Sequence, residues 1–249
     1  MAIERLQKII ADRGYCSRRK AEEYITAGLV KVDGDTITTL GSKFDEDVRI
    51  TIDNKVLEIS TSAKKYYVFF KPRNVITTMS DPLHRKCVGD YFKRLDDRVF
   101  PVGRLDYDVS GLLIMTNDGE FANHVAHPRY NFYKTYQALI KGEVKSFQIK
   151  SLRTGVIIED NYLAKAIDAK MVNYNKELGE SIVTMVLNEG HKHHVKNMLA
   201  AADMELVKLQ RTMVEDITLD GLKPGMYREF KAHEVKKFYG KIKSSKETK

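Results

Sequence analysis

The chain has 249 residues, enough for one large and one small domain, and its 43% hydrophobic and 31% charged residues are ordinary for a soluble globular protein. No apolar run approaches the length of a membrane span, and two cysteines exclude a disulfide framework and a four-cysteine metal site. The formal net charge of +8 favours a polyanionic partner such as nucleic acid, although many basic proteins bind none.

The first elements are two short helices and a hairpin. Leu6, Ile9 and Ile10 are spaced as on one face of a helix over residues 4–14, and Ser17 is placed as the N-cap of a second helix over 18–27. The strands 30–32 and 36–38 flank Asp33-Gly34, a hairpin turn signal. These patterns predict a compact N-terminal module.

The charge of this module lies on its helices. Residues 1–31 hold seven basic and four acidic side chains, a net of +3, whereas residues 1–60 as a whole have a net of −1. The cations are either an RNA-binding face or a solvated basic surface. Together with Gly14, Gly28 and Val30-Lys31-Val32-Asp33-Gly34 the segment resembles the S4-like RNA-binding module. That resemblance implies RNA contacts from Arg5, Lys8, Arg18, Arg19 and Lys20.

A β-rich run, 66–70, follows a polar stretch at 58–65 that has the composition of a linker. Lys71-Pro72 ends this strand. The segment 75–99 is a loop-rich insertion with a short helix predicted around 89–95. Its basic side chains either reach a folded RNA or are simply solvated, and the sequence leaves both readings open.

The stretch from Pro101 to Ala122 is the most informative part of the chain. Residues 112–115 form an unbroken apolar run before a turn at 116–119, which predicts a buried strand. The preceding loop is bracketed by Gly103 and Gly111 and carries Arg104 and Asp106. From residue types alone, Asp106 is either a turn residue with Arg104 as a surface partner or a reactive carboxylate on a rigidly based loop.

The longer string resembles the signature loop of bacterial rRNA pseudouridine synthases of the RsuA/RluB group. The matching parts are Gly103-Arg104-Leu105-Asp106, Ser110-Gly111-Leu112-Leu113 and Thr116-Asn117-Asp118-Gly119-Glu120. The resemblance implies that Asp106 is the essential catalytic residue and that Arg104 holds the phosphate of the flipped nucleotide or the strand it left. One departure is Val109, where the family usually has threonine.

The same resemblance extends to a predicted aromatic strand over 131–140, in which Lys134 and Tyr136 share one face. A tyrosine in a strand is usually a packing residue, but the family's Lys-x-Tyr motif implies that Tyr136 stacks on the target base. Lys134 is assigned a phosphate-binding or structural role, and Lys71, after the first strand, is assigned to RNA binding.

The pattern between 148 and 187 predicts a helix over 148–155 and strands over 156–158, 167–172 and 181–187. A glycine turn at 190 then leads into a helix. His191, His193 and His194 lack a fourth ligand nearby, so no metal site is expected.

In the family, this turn and helix carry the basic partner of the catalytic aspartate. The resemblance assigns that role to Lys196 and RNA binding to Lys192. The chain departs from the family pattern at three positions. His191, His194 and Asn197 replace a usual arginine, Gln/Glu and second basic residue.

Strands over 206–211 and 221–230 close the pattern, and the lysine-rich end from Lys236 is expected to be frayed. The fold class is α+β, a small helical and hairpin module followed by a mixed, mostly antiparallel sheet. We expect an N-terminal module at 1–60, a linker at 61–65, a catalytic domain at 66–240 and a basic tail at 241–249.

The function implied is the conversion of uridine to pseudouridine in ribosomal RNA, in 23S rather than 16S rRNA, without a cofactor. The alternatives are a 16S rRNA enzyme and a non-catalytic RNA-binding assembly factor, the latter favoured by the departures at His191, His194 and Val109. A DNA-binding regulator would need a longer recognition helix than 18–27. The start of the chain lacks a signal-peptide apolar segment, so we expect a cytoplasmic protein with no membrane partner. We also expect a monomer.

Overall fold

The structure is a computed structural model that describes residues 3–59 and 63–247, with side chains described as far as residue 245. It divides into two compact units. The first comprises Met1–Lys65 with the short segments Asp96–Arg98 and Asn117–Gly119, and the second comprises Tyr66–Leu95, Val99–Thr116 and Glu120–Lys249. The predicted linker at 61–65 lies partly outside the described residues. Within the described residues, no helix is both long and apolar enough to span a membrane.

The first unit packs two helices on small antiparallel sheets. Its elements are β1 Ile3–Arg5, α1 Leu6–Asp12, α2 Arg18–Thr26, β2 Val30–Val32, β3 Asp35–Thr36, β4 Lys43–Asp45, β5 Ile50–Ile52 and β6 Lys55–Leu57. Strand β1 pairs with β4, and the other strands form a sheet in the order β3-β2-β5-β6. As expected, Ser17 caps α2, its Oγ accepting a 3.1 Å hydrogen bond from the Lys20 backbone N–H.

The helix predicted over 4–14 is shorter than expected. Glu4 and Arg5 belong to β1, because they pair with Phe44 and Lys43 across an antiparallel ladder that local spacing could not predict. The core of the unit is formed by the apolar faces of both helices and by β2 and β5. Leu6, Ile25 and Ile50 are fully buried in it.

The second unit is built on a nine-stranded sheet. The strands of the whole unit, which include two outside this sheet, are β7 Tyr66–Lys71, β8 Phe100–Pro101, β9 Ser110–Thr116, β10 Lys134–Lys141, β11 Val156–Ile158, β12 Tyr162–Ala164, β13 Asp168–Asn175, β14 Glu180–Leu187, β15 Glu205–Val214, β16 Ile217–Thr218 and β17 Tyr227–Glu229. The main order is β13-β14-β10-β15-β9-β7-β17, with β8 beside β9 and β16 beside β15, and β11 and β12 form a separate hairpin. Only the β15–β9 pair is parallel among these strands, so the mixed, mostly antiparallel sheet is confirmed.

Both faces of the sheet are covered, which explains the unbroken apolar run of β9. Leu113 and Met115 point into one core, whereas Leu112 and Ile114 point into the other. The unit's helices are α3 Gly119–Ala126, α4 Ser146–Thr154, α5 His194–Ala201 and α6 Ala232–Glu247. Residues of α4 and α5 belong to the first core and residues of α3 and α6 to the second. The helix predicted around 89–95 is a short 3-10 helix, Val88–Tyr91.

The expectation of a frayed C-terminal end is wrong. Residues 236–247 lie in α6, where Phe238 is 1% exposed and Ile242 is also buried. The Phe238 ring stacks on Phe121 with centroids 5.7 Å apart and also contacts Phe132. Two apolar residues four positions apart lie on one helical face, so the many lysines between them do not prevent docking.

Candidate active site

The loop before β9 ends where Gly111, the second residue of that strand, passes the backbone of β15. Gly111 has φ +122°, and a Cβ there would lie 2.2 Å from the Arg211 carbonyl oxygen, so no other residue fits without displacing the strand. The buried Arg211 side chain donates a 2.7 Å hydrogen bond from Nε to the Leu112 carbonyl. The C-terminal end of the loop that carries Asp106 is therefore held in place in the middle of the sheet.

Lys71 holds the same loop by hydrogen bonds to its carbonyl oxygens. The assignment of this residue to RNA binding is wrong. The residue is 0% exposed, and its Nζ donates to the carbonyl oxygens of Val109 at 2.8 Å and Pro72 at 3.0 Å. Burial lowers the pKa of this lysine to about 8, against the opposing effect of nearby carboxylates. Its ammonium satisfies loop carbonyls and is not available to a phosphate.

The centre of the site is a cation shared by two carboxylates. Lys196 extends from α5 and places Nζ 3.4 Å from Oδ2 of Asp106 and 2.5 Å from Oδ1 of Asp108. Burial raises the pKa of Asp108, but its hydrogen bond and charge interaction with Lys196 outweigh that, so the pKa lies below the ordinary value. The sequence pairing of Lys196 with Asp106 is thus present in the geometry, but Asp108 is the nearer partner.

A pocket of about 300 Å³ opens beside Asp106, and six of the predicted residues line it. These are Arg104, Asp106, Lys134, Tyr136, Lys192 and Lys196. Tyr136 is half-buried in the wall, whereas Arg104 and Lys192 are exposed. The fold therefore gathers a carboxylate, an aromatic ring and several cations from three separate parts of the chain around one cavity.

Lys134 is a half-buried cation in the wall of this cavity. Burial, together with the neighbouring Arg211 cation, lowers its pKa to about 8. A lysine with this pKa carries its charge at neutral pH in a poorly hydrated place. Such a cation attracts an anionic or carbonyl-rich ligand more strongly than a solvated one does.

The cations assigned to RNA in the first unit are at its surface. Lys20 pairs with Glu23 at 2.6 Å, Lys8 pairs with Glu4, and Arg18 lies 3.8 Å from Asp12. Among the described residues, Arg5 and Arg19 have no ion-pair partner. These exposed pairs are weak, so a phosphate can replace the acidic partner at little cost.

The segment between β14 and α5 brings together groups that the sequence reading did not combine. Glu189, His191 and His194 form a cluster whose candidate ligand atoms all lie within 4.8 Å of one another. His193 is apart from it and points toward the catalytic loop, with Nε2 3.9 Å from Oδ1 of Asp106. The only sequence signal for the cluster was the Glu-Gly-His spacing, which is too common to be used alone.

Family models and individual relatives all indicate the same family for this chain. A model described as RNA pseudouridylate synthase matches residues 65–201, and one described as S4 domain matches residues 4–50. The chain is 42% identical over 235 residues to ribosomal large subunit pseudouridine synthase B of Bacillus subtilis (strain 168), covering 94% of this chain and 95% of that one. It is 37% identical to an uncharacterized RNA pseudouridine synthase of Aquifex aeolicus (strain VF5), covering 94% and 93%.

A solved structure described as a pseudouridylate synthase has the same fold. It superposes with a TM-score of 0.67 at 24% sequence identity, covering 94% of this chain and 99% of that one.

Proposed function

The chain belongs to the RNA pseudouridylate synthase family and is an rRNA uridine isomerase, and we propose that its target is a single uridine in 23S rRNA. The observation that carries this proposal is the likeness to the large-subunit enzyme of Bacillus subtilis over almost the whole of both chains. The site can do this chemistry because it places Asp106 beside a cavity large enough for one base.

The reaction breaks the bond between ribose C1′ and uracil N1, turns the detached base and joins C1′ to C5. The proton lost from C5 is balanced by one gained at N1, so no oxidant, reductant or energy source is consumed. Asp106 supplies the carboxylate, either as nucleophile at C1′ or as base at the 2′ position, and both roles need its ionised form. Lys196 places its ammonium 3.4 Å from this carboxylate.

The remaining assigned residues grip a nucleotide taken out of its stack. A base flipped from RNA needs an aromatic or apolar surface and contacts to its backbone. Tyr136 offers the ring in the pocket wall, and Arg104 offers a guanidinium at the exposed edge for a phosphate oxygen. Lys134 and Lys192 add positive charge to the same cavity.

The N-terminal unit is proposed to bind the RNA outside the target nucleotide. What supports this is the S4 match over residues 4–50 and the exposed arginines on and next to its helices. A ribosomal substrate would place the protein in the cytoplasm. The expectation of a monomer stays a prediction.

Tritium release from uracil-5-tritiated rRNA tests the proposal. The purified chain should release tritium from a 23S transcript and not from a 16S transcript, because C5 loses its hydrogen only when the new bond forms there. Release from 16S rRNA alone would contradict the proposed target and leave the reaction class standing. No release from either RNA would favour the binding-factor alternative.

A further inference from the structure

Glu189, His191 and His194, three of the residues that line the pocket, lie next to one another. His194 Nε2 lies 3.6 Å from Oε1 of Glu189, and His191 Nε2 lies 4.0 Å from the other oxygen, Oε2. Tyr162 donates a 2.7 Å hydrogen bond from its hydroxyl to Oε2 of Glu189, and its ring lies against His191 with centroids 4.3 Å apart. A carboxylate and two imidazoles thus converge on one small volume.

His194 provides an independent sign that this volume is meant for a ligand. The residue is 4% exposed, and its Nε2 has no hydrogen-bond partner among the described residues. Its Nδ1 accepts a 3.2 Å hydrogen bond from the His191 backbone N–H, so the neutral ring carries its proton on Nε2. A buried polar nitrogen without a partner costs free energy unless something else binds there.

We propose that Glu189, His191 and His194 form a binding site for one divalent transition metal ion, with Zn²⁺ as the best chemical fit. Two imidazole nitrogens and one carboxylate are a donor set that zinc accepts, and three protein ligands leave a coordination position open toward the cavity. Tyr162 holds the carboxylate by its hydrogen bond, as outer-shell partners of metal ligands do.

Metal binding requires a small, defined rearrangement. Ligand atoms about 2.0–2.2 Å from a tetrahedral zinc lie closer to one another than the 3.6 Å and 4.0 Å that now separate the two imidazoles from Glu189, so the cluster must contract. His191 can move, because its side chain is half exposed on a loop. At His194 the proton leaves Nε2, another is taken up at Nδ1, and the His191 backbone N–H turns to solvent, with no net change in protons.

Two of the three proposed ligands are departures of this chain from the family pattern that it resembles. His191 stands where the family usually has arginine, and His194 stands where it usually has glutamine or glutamate. A chain with the usual residues at these two positions would have no imidazole at either. A bound dication would return to the pocket wall the positive charge that the arginine supplies in the usual pattern. This inference concerns metal binding alone and does not depend on the isomerase activity.

Titration calorimetry with Zn²⁺ on the full chain tests the proposal, using protein without a purification tag and stripped with a chelator. One saturable equivalent should bind, and Co²⁺ should give the visible absorption bands of a four- or five-coordinate site. His194→Gln should weaken Zn²⁺ binding by more than about ten-fold, and Tyr162→Phe by about ten-fold. His84→Gln, a histidine outside the pocket, should bind as the wild type does.

Two results would overturn the proposal: no binding by the wild-type chain, or wild-type affinity in both His194→Gln and His191→Arg. Because His194 is buried, circular dichroism must show that its variant is folded. If it is not, His191→Arg carries the same test, since that side chain is half exposed and its replacement does not disturb the core.

Discussion

Lys196 places its ammonium 3.4 Å from Oδ2 of Asp106, although one residue lies on α5 and the other on the loop before β9. Packing in the core and backbone contacts hold both elements in place. Buried Val195, Met198 and Leu199 anchor α5 in the core, and Lys71 and Gly111 fix the loop. The separation of charge and carboxylate is therefore set by the packed fold and not by flexible side chains alone, which is the condition for a preorganised site.

Asp106→Asn should abolish turnover and leave the fold intact. The amide is nearly the same size as the carboxylate but serves neither as nucleophile nor as base, so the rate of tritium release should fall by at least about 100-fold. RNA affinity should change by no more than a few fold, because it comes mainly from phosphate contacts.

The matched control for that variant is Asp108→Asn on the same loop. Asp108 is half exposed and is the nearer partner of Lys196, so its loss removes the same charge without removing the proposed catalytic group. Its tritium release should stay well above that of Asp106→Asn. Equal losses in the two variants would show that loop charge, and not the Asp106 carboxylate, governs the reaction.

Lys196→Gln should lower kcat with a smaller effect on KM. Removing the ammonium leaves the two carboxylates without the cation that they share. A charged hydrogen bond contributes about 1.5–3 kcal/mol, which corresponds to a fall of about 10- to 100-fold. Lys196→Arg keeps the charge and should recover part of the rate in single-turnover assays. A glutamine variant as fast as the wild type would remove Lys196 from the mechanism.

The sequence predicted the strands of the sheet well because their apolar runs and turn residues are local signals. The resemblance also named six of the residues that line the pocket, from Arg104 to Lys196. Two errors had a common cause. Lys71 and the lysines around Phe238 were both expected to be exposed to solvent because they are charged. In the structure Lys71 is buried and donates to loop carbonyls, and Phe238 packs against Phe121.

Sequence spacing also missed contacts made between distant parts of the chain. Tyr162 and Glu189 meet only because β12 and the end of β14 approach each other in the folded unit. The stronger pairing of Lys196 with Asp108 depends on the path of the loop, which a match to a signature string does not describe. Contacts between residues far apart in the sequence depend on how the whole unit packs, so local spacing could not predict them.

Lys71→Met should change how stability depends on pH. The unfolded chain keeps the lysine proton up to about pH 10.4, but the folded chain keeps it only to about pH 8. Between these values the unfolded state binds more protons, so wild-type stability should rise with pH by up to about 3 kcal/mol relative to the variant. Urea unfolding from pH 7.5 to 10 measures this difference.

The control for the Lys71 experiment is Lys208→Met, which removes an exposed lysine from β15. Its pH dependence should follow that of the wild type. If Lys71→Met also follows the wild type, the ammonium at position 71 is not destabilised by burial in the folded chain.

Deleting residues 1–60 should weaken rRNA binding and leave the larger unit folded. The apolar core of the first unit is made from its own residues, from Leu6 to Leu57, so its loss does not open the sheet of the second. Binding of 23S rRNA should show a smaller salt dependence, and a short hairpin substrate should lose less activity than full-length rRNA. An insoluble truncated protein would contradict the independence of the two units.

The 23S target makes a prediction in cells. A uridine in a regular A-form helix has its base edges hidden in a deep groove, so the modified site should lie in a loop, a bulge or an irregular stem of 23S rRNA. Pseudouridines can be mapped by carbodiimide adducts and reverse-transcription stops in cells with and without the gene. One stop in 23S rRNA should disappear on deletion and return with the wild-type protein, but not with Asp106→Asn. A stop lost from 16S rRNA would contradict the 23S assignment, whereas rescue by Asp106→Asn would contradict the role of that carboxylate.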